Sequence, residues 1–133
     1  MIHGQCPMHD EITAFFNIPL GQAVIFSWGD AIYNPTGAKI SKMLHAHEEI
    51  HSARQGKSEA DVLMWWRRYM ADPLFRYDEE LPAHVAEYHA YCKRHGSGRV
   101  QFLDKVAERL SSPLYGSIVT YEMARSAIIL GGR

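Results

Sequence analysis

His47-Glu48-Glu49-Ile50-His51 is the stretch around which the predicted fold of this chain is arranged. It has the form H-E-x-x-H, in which two histidines on one helix bind a zinc ion and the first glutamate acts as general base. Residues four apart on an α-helix lie about 40° apart around its axis, so both imidazoles can reach one ion. Glu48 lies roughly 60° from His51, where its carboxylate can touch a metal-bound water without binding the metal. The stretch therefore predicts two zinc ligands, His47 and His51, and a catalytic base, Glu48.

The motif is expected on a helix that begins at Lys39 or Ser41 and ends at Gln55. Apolar side chains and both motif histidines recur along this segment near helical spacing, and Gly56 is a natural stop. The same helix face would then carry the metal ligands and the side chains that pack in the core.

A β-hairpin is predicted just before this helix. Residues 23–28 (AVIFSW) and 31–33 (AIY) are rich in β-branched and aromatic side chains, and Gly29-Asp30 between them is a turn signal. A strand of this pair could bind an extended peptide along its edge, because main-chain pairing gives affinity with little demand on sequence.

Helices are predicted for most of the remaining chain. One is capped near Ser58 and ends at Asp72-Pro73. Another is capped by Asp78 and begins at Glu79, because Pro82 is tolerated only within or just after a first turn. Two more are expected at about 100–110 and from 117 or 120 to 130. The predicted fold is α+β: one domain over residues 1–133, mostly helical with four to five helices and a short hairpin or small sheet beside the motif helix.

A catalytic zinc site needs a third protein ligand and an open position for water. Glu79, Glu80, His84 and Glu87 are the candidates on the helix that contains Pro82, and the last three share one face. Glu80 is preferred, with His84 touching a ligand or facing substrate and Glu87 orienting a ligand histidine. The alternative explanation of Glu79 and Glu80 is that acidic residues are favoured at a helix N-terminus.

Composition indicates a protein that acts in a reducing compartment. The 133 residues carry a net charge of −1, which favours neither a nucleic-acid nor an anionic-membrane partner. The two cysteines, Cys6 and Cys92, are too few for a disulfide framework and are expected to be free thiols. Neither a signal peptide nor a membrane-spanning run is expected.

The ordered set of motifs resembles a known class of enzymes. His47-Glu48-x-x-His51 followed by Glu80 on a separate helix resembles the gluzincin arrangement of zinc metallopeptidases. Three further stretches, residues 29–35 (GDAIYNP), 75–83 (FRYDEELPA) and 110–116 (LSSPLYG), resemble small H-E-x-x-H proteins of tailed bacteriophages and prophages. One departure is Pro82, which stands where that group often has an acidic residue.

The resemblance implies a minimal zincin-like fold with one Zn²⁺ per chain on His47, His51 and Glu80. It implies a location in the cytoplasm of a bacterial host, or association with the virion, and peptide or phage structural proteins as partners. Oligomerisation is left open.

Two functions compete at this point. In the first, a zinc-dependent peptidase, zinc lowers the pKa of its bound water, and Glu48 takes the water's proton and passes it to the leaving amine. The candidates for holding the oxyanion are Tyr69, Arg76, His84 and Tyr88. In the second, the chain is a non-catalytic phage structural or assembly protein with a structural or vestigial metal site. Glu48 favours catalysis, because a structural site has no use for a base, whereas the small size of the chain favours the alternative.

Overall fold

A computed structural model of the chain describes residues 1–131. Over this range the chain is mostly helical, with six α-helices and one two-stranded antiparallel sheet. In chain order the elements are α1 (His9–Phe15), β1 (Phe26–Trp28), β2 (Ala31–Tyr33), α2 (Lys42–Gln55), α3 (Glu59–Ala71), α4 (Pro73–Arg94), α5 (Arg99–Leu110), a short 3-10 helix (Pro113–Tyr115) and α6 (Tyr121–Gly131). The α+β class is confirmed, with one helix more than the largest number predicted.

The predicted hairpin is present, although β1 is shorter than the apolar run 23–28. Gly29 adopts a φ of +59° in its turn, a conformation that glycine reaches without steric strain. The second edge of β2 is partly covered by the N-terminal residues. Ile2 N–H donates to the carbonyl of Ile32 at 2.8 Å, and the N–H of Asn34 donates to the carbonyl of Ile2 at 2.7 Å.

The outer edge of β1 is held by a side chain of the motif helix. The Gln55 amide donates from Nε2 to the carbonyl of Ser27 at 2.9 Å and accepts the N–H of Gly29 at 2.7 Å. Trp66 Nε1 donates to the same Ser27 carbonyl at 3.0 Å. Gln55 thus takes the place of a neighbouring strand here, and it fixes α2 against the sheet.

Both ends of α2 follow from local sequence. The Ser41 hydroxyl accepts the N–H of Leu44 at 3.1 Å, which satisfies one of the free donors of the first turn. Gly56 follows the last helical residue with φ +96°, and a Cβ at this position would lie 2.8 Å from Cβ of Asp61. Only glycine fits this stop without movement of the next helix.

The predicted start of α4, the helix that contains Pro82, is wrong. Asp72, rather than Asp78, is the N-cap, and its Oδ1 accepts the N–H groups of Leu74 and Phe75 at 3.1 and 3.2 Å. Pro73 occupies the first helical position, where its missing N–H costs nothing. Asp72-Pro73 therefore ends α3 and begins α4 at once, six residues before the predicted start at Glu79.

Pro82 consequently lies inside α4, where the sequence prediction had excluded it. Its ring nitrogen cannot donate to the carbonyl of Asp78, a loss that costs about 3 kcal/mol in a helix interior. The packing of α4 along α2 is the most extensive helix contact of the fold, and Ala83 is fully buried in this region. Tertiary packing therefore outweighs the local preference, and Glu80 is a mid-helix residue rather than a first-turn acid.

Two apolar clusters make up the core. One joins α1, the hairpin and α3 and contains Trp65, Trp66 and Tyr69. The other joins α5 and α6 and contains Leu110 and Tyr115. The buried polar residues of α2 and α4 lie where these two clusters approach each other.

Both cysteines are free thiols, as predicted. Cys6 is buried in the first cluster, and burial raises the pKa of its thiol to about 11. Within residues 1–131, none of the helices combines the length and the apolar character needed to cross a membrane.

Candidate metal centre

The structure brings His47, His51 and Glu80 together between α2 and α4. Nε2 of His47 lies 3.1 Å from Nε2 of His51 and 3.1 Å from Oε1 of Glu80. Nε2 of His51 lies 2.7 Å from Oε2 of Glu80. All three side chains are buried, Glu80 almost completely. The two motif histidines and the preferred third ligand thus face one point.

These separations suit a shared metal ion. Around a tetrahedral ion with bonds of about 2.0–2.1 Å, two donor atoms are about 3.3 Å apart. The observed separations of 2.7–3.1 Å are a few tenths of an ångström shorter. Imidazole nitrogen and carboxylate oxygen are also donors that divalent ions such as zinc accept. The residues present therefore fit a divalent metal ion.

A further donor, His84, approaches the same carboxylate. Its Nε2 lies 3.7 Å from Oε1 of Glu80, and its ring centroid lies 4.6 Å from that of His47. His47, Glu80 and His84 form a buried group whose donor atoms could hold a metal ion. His84 follows Glu80 by one helical turn on α4 and is 1% exposed. It touches the proposed ligands, as one of the two predicted roles requires, and it does not line the cavity described below.

Glu87 lies behind the histidines and contacts two of them. Its Oε1 is 2.9 Å from Nδ1 of His47 and 3.3 Å from Nδ1 of His84. Its Oε2 accepts a hydrogen bond from the Arg109 guanidinium of α5 at 2.6 Å. A carboxylate on one ring nitrogen orients an imidazole and leaves the other nitrogen free for a metal. Glu87 is thus placed for the orienting role that its spacing suggested.

Glu79 is occupied elsewhere. Its Oε2 accepts from Nε and an NH2 group of Arg54 at 2.9 and 2.6 Å, and its Oε1 accepts from Nε1 of Trp65 at 2.6 Å. This carboxylate connects α2, α3 and α4. It does not join the donor group, which is the set of His47, His51 and Glu80. Of the two adjacent acids, only Glu80 faces the histidines.

Glu48 is fixed by the strand in front of it. The Ser27 hydroxyl lies 2.6 Å from Oε2 of Glu48 and 2.8 Å from its backbone carbonyl oxygen. Ser27 is on β1 and is 1% exposed. The hairpin therefore holds the side chain of the motif glutamate beside the donor group.

A cavity of about 300 Å³ opens next to these residues. Its polar wall contains His47, Glu48, His51 and Glu80. The remaining wall is mainly apolar and includes Ile12, Phe16, Ile18, Phe26, Trp65 and Leu114. The cavity has room for a side chain of a bound molecule beside the donor group.

The four residues proposed to hold an oxyanion are differently placed. The Tyr69 hydroxyl donates to Oε2 of Glu80 at 3.1 Å and lines the cavity. The guanidinium of Arg76 donates hydrogen bonds to three backbone carbonyl groups, each at 2.8 Å. Tyr88 packs against the α5–α6 cluster, away from the donor group. His84 is buried outside the cavity, so Tyr69 alone of the four faces it.

Tyr115 is a cavity residue that the sequence analysis missed. It belongs to the 3-10 helix after α5, is 7% exposed, and lines the cavity together with Glu80. Burial and the Glu80 charge raise the pKa values of Tyr69 and Tyr115 well above the ordinary tyrosine value. Both phenols are therefore hydrogen-bond donors at neutral pH.

The charges of the donor group are strongly coupled. Burial alone would lower the pKa of His47, but Glu80 and Glu87 raise it to about 10. Burial alone would raise the pKa of Glu80, but His51 and His47 hold it well below its usual range. Without a metal, the positive charge beside Glu80 is thus a proton on an imidazole.

The two flanking carboxylates differ in the direction of their pKa shifts. Burial raises the pKa of Glu48 above its usual value, and His51, His47 and the Ser27 hydrogen bond oppose this only in part. Burial also acts to raise the pKa of Glu87, but its hydrogen bonds to His47 and His84 lower it on balance. Glu87 is therefore a permanent anion, whereas Glu48 holds a proton more readily than an ordinary glutamate.

Ser27, Tyr115 and Arg109 escaped the sequence analysis, and only one of them left a usable trace. Tyr115 belongs to residues 110–116, a stretch that had been noticed for its resemblance alone. Ser27 reads as an ordinary polar residue within a strand, and Arg109 as a solvent-exposed cation near a helix end. Ser27 lies 21 residues from its partner Glu48, and Arg109 lies 22 residues from its partner Glu87. No local sequence pattern reveals pairs so far apart.

Comparison with protein-family models, with curated proteins and with solved structures finds no match for this chain.

Proposed function

We propose that this protein is a zinc-dependent peptidase. The observation that supports it best is the position of Glu48, whose carboxylate shares one cavity wall with His47, His51 and Glu80. A purely structural site needs the ligands but has no use for a base on this wall. The resemblance of the motif and of Glu80 to gluzincins, and of the flanking stretches to small phage and prophage proteins, agrees with this proposal.

Zinc bound by His47, His51 and Glu80 would supply a water of lowered pKa and polarise a substrate carbonyl. Glu48 would accept the proton of that water and deliver it to the leaving amine. Its raised pKa suits the first half of this transfer, because a carboxylate of lower pKa accepts a proton less readily.

We assign two phenols to the oxyanion. Tyr69, whose hydroxyl donates to Glu80, and Tyr115 both line the cavity, and both stay protonated at neutral pH. Tyr69 would turn its hydroxyl from Glu80 to the oxyanion. Donors held in the cavity wall stabilise charge that develops during the reaction. Of the two, Tyr115 enters from the second core cluster, so α5 and α6 contribute to the site.

The cavity and the sheet suggest how a peptide would bind. The apolar wall formed by Phe16, Phe26 and Trp65 would receive an apolar side chain next to the scissile bond. Gln55 already occupies the outer edge of β1 at Ser27 and Gly29, so main-chain pairing would have to use the segment before Ser27. The substrate class is therefore an extended, unfolded peptide segment.

The proposal is tested by exchanging two neighbouring glutamates separately. Glu48→Gln should lower zinc-dependent cleavage of a reduced, denatured protein by at least 10²-fold, since general-base catalysis typically contributes 10²–10⁴. Glu49→Gln is the matched control, because the Glu49 side chain is 61% exposed and pairs with His45 on the surface. Cleavage is read by mass spectrometry of the released peptides, at equal zinc content of all three proteins.

The second candidate is a metal-stabilised protein without catalysis, such as a phage structural or assembly component. The observation in its favour is the buried His47, Glu80 and His84 group, which could surround an ion with protein ligands. It predicts that wild type and Glu48→Gln are indistinguishable in cleavage while both bind zinc. Such a result would replace the peptidase proposal.

A further inference from the structure

His84 carries a buried nitrogen that has no partner. Its Nε2 makes no hydrogen bond with any residue of 1–131, although the side chain is 1% exposed. Buried polar atoms are almost always paired, and exceptions call for a specific explanation such as an ion.

The tautomer of His84 is set by Glu87. Oε1 of Glu87 lies 3.3 Å from Nδ1 of His84 and 2.9 Å from Nδ1 of His47. Because Glu87 is held as an anion by Arg109, each Nδ1 carries the proton and donates it to this oxygen. Nε2 of His84 is then left with a lone pair, which is the form in which imidazole binds a metal, whereas His47 reaches that form by losing a proton when the metal binds.

The distance from His84 to Glu80 distinguishes two kinds of contact. At 3.7 Å, Nε2 of His84 is too far from Oε1 of Glu80 for a hydrogen bond. Two atoms bound to one tetrahedral zinc ion are about 3.3 Å apart, a few tenths of an ångström less than this separation. The separation of His84 Nε2 and Glu80 Oε1 is therefore close to that of two ligands of one ion, and it is too long for a direct hydrogen bond.

We infer that His84 is a metal ligand, so that three imidazoles and Glu80 surround the ion. This differs from the two-histidine arrangement on which the proposed function is built. It shares with that function only the premise that a metal binds at His47 and Glu80, and it does not depend on cleavage. With four protein ligands, the proposed function would need the catalytic water as an additional ligand.

The number of coordinated imidazoles can be counted directly with Co²⁺ in place of zinc. In the cobalt protein, the N–H proton of each coordinated imidazole gives a strongly shifted NMR signal in H₂O that disappears in D₂O. The inference predicts three such signals for the wild type and two for His84→Gln. His89→Gln is the matched control on the same helix, because His89 is exposed, and it should retain three signals.

Two signals in the wild type would overturn the inference, and this outcome does not depend on whether the His84 variant folds. It is also the result expected if a buried water, rather than the metal, satisfies Nε2 of His84. Three signals in both the wild type and a folded His84→Gln would equally overturn it. Two signals together with zinc-dependent cleavage would overturn the assignment of His84 as a ligand and support the proposed function. Three signals without cleavage would support His84 as a ligand and overturn the proposed function.

Discussion

At the scale of single residues, the imidazole of His47 is held between two carboxylates. Nδ1 faces Glu87 at 2.9 Å and Nε2 faces Glu80 at 3.1 Å, in a region from which solvent is almost excluded. Two anions on one buried imidazole favour its charged form over the neutral form that a metal requires. Proton and metal therefore compete for this residue.

This competition predicts that metal binding releases a proton. The pKa of His47 is about 10 without a metal, so the ring is charged at pH 7 and must lose its proton when zinc binds. The apparent affinity should fall about tenfold for each unit by which the pH is lowered from 9 to 7. Titration calorimetry in two buffers of different ionisation enthalpy measures the released protons.

Glu87→Gln provides the control for proton release. The amide removes one of the two anions that raise the pKa of His47, so less proton should be released at pH 9 than in the wild type. Equal heats in both buffers for the wild type at pH 7 would contradict a charged His47.

At the scale of elements, α4 shows how packing overrides a local rule. Pro82 interrupts the hydrogen bonds of a 22-residue helix, and the helix persists because it packs against α2 in the most extensive helix contact of the fold. Pro73 in the same helix lies at the first position, where proline is well tolerated. Within α4, Pro82 therefore costs a backbone hydrogen bond, whereas Pro73 costs none.

The difference between them can be measured. Pro82→Ala restores an N–H that can donate to the carbonyl of Asp78, so it should raise the free energy of unfolding by about 1–3 kcal/mol. Pro73→Ala gains no such bond and loses a preset φ angle, so it should lower stability by about 0.5–1 kcal/mol. Urea unfolding of the metal-free proteins gives both values, and a destabilised Pro82→Ala would mean that the ring contributes packing that outweighs the hydrogen bond.

The elements themselves were largely predictable. Ser41, Gly56 and Ser58 mark helix ends through local hydrogen bonds and backbone angles, and they act as the sequence suggested. The start of α4 at Pro73 is not predicted by the sequence, because the local cost of Pro82 argues against a helix that contains it. The packing that offsets this cost is visible only in the fold.

At the scale of the whole molecule, the donor group joins two separate apolar cores. Tyr69 of the first cluster donates to Glu80, Tyr115 of the second lines the cavity beside Glu80, and Arg109 of α5 holds Glu87. A metal on α2 and α4 would therefore stabilise the contact between the two halves of the fold.

Removal of the metal should lower thermal stability. With free zinc at one hundred times Kd, binding adds about 2.7 kcal/mol, which corresponds to roughly 10 °C in a domain of this size. A chelator should reverse this shift in differential scanning calorimetry. The His47→Ala/His51→Ala double variant should melt at the same temperature with and without chelator, and an unchanged wild-type Tm would indicate that zinc is not bound.

The positions of His47, Glu48 and His51 relative to one another could be predicted from sequence, because the geometry of a single helix sets them. Glu80 could be proposed from its face of α4, where the spacing to His84 and Glu87 is again helical. The pairing of Ser27 with Glu48 and of Arg109 with Glu87, and the position of Tyr115 in the cavity beside Glu80, were decided only in three dimensions. These contacts depend on how the hairpin, α5 and the 3-10 helix pack around α2 and α4, and such long-range packing leaves no period or spacing in the chain.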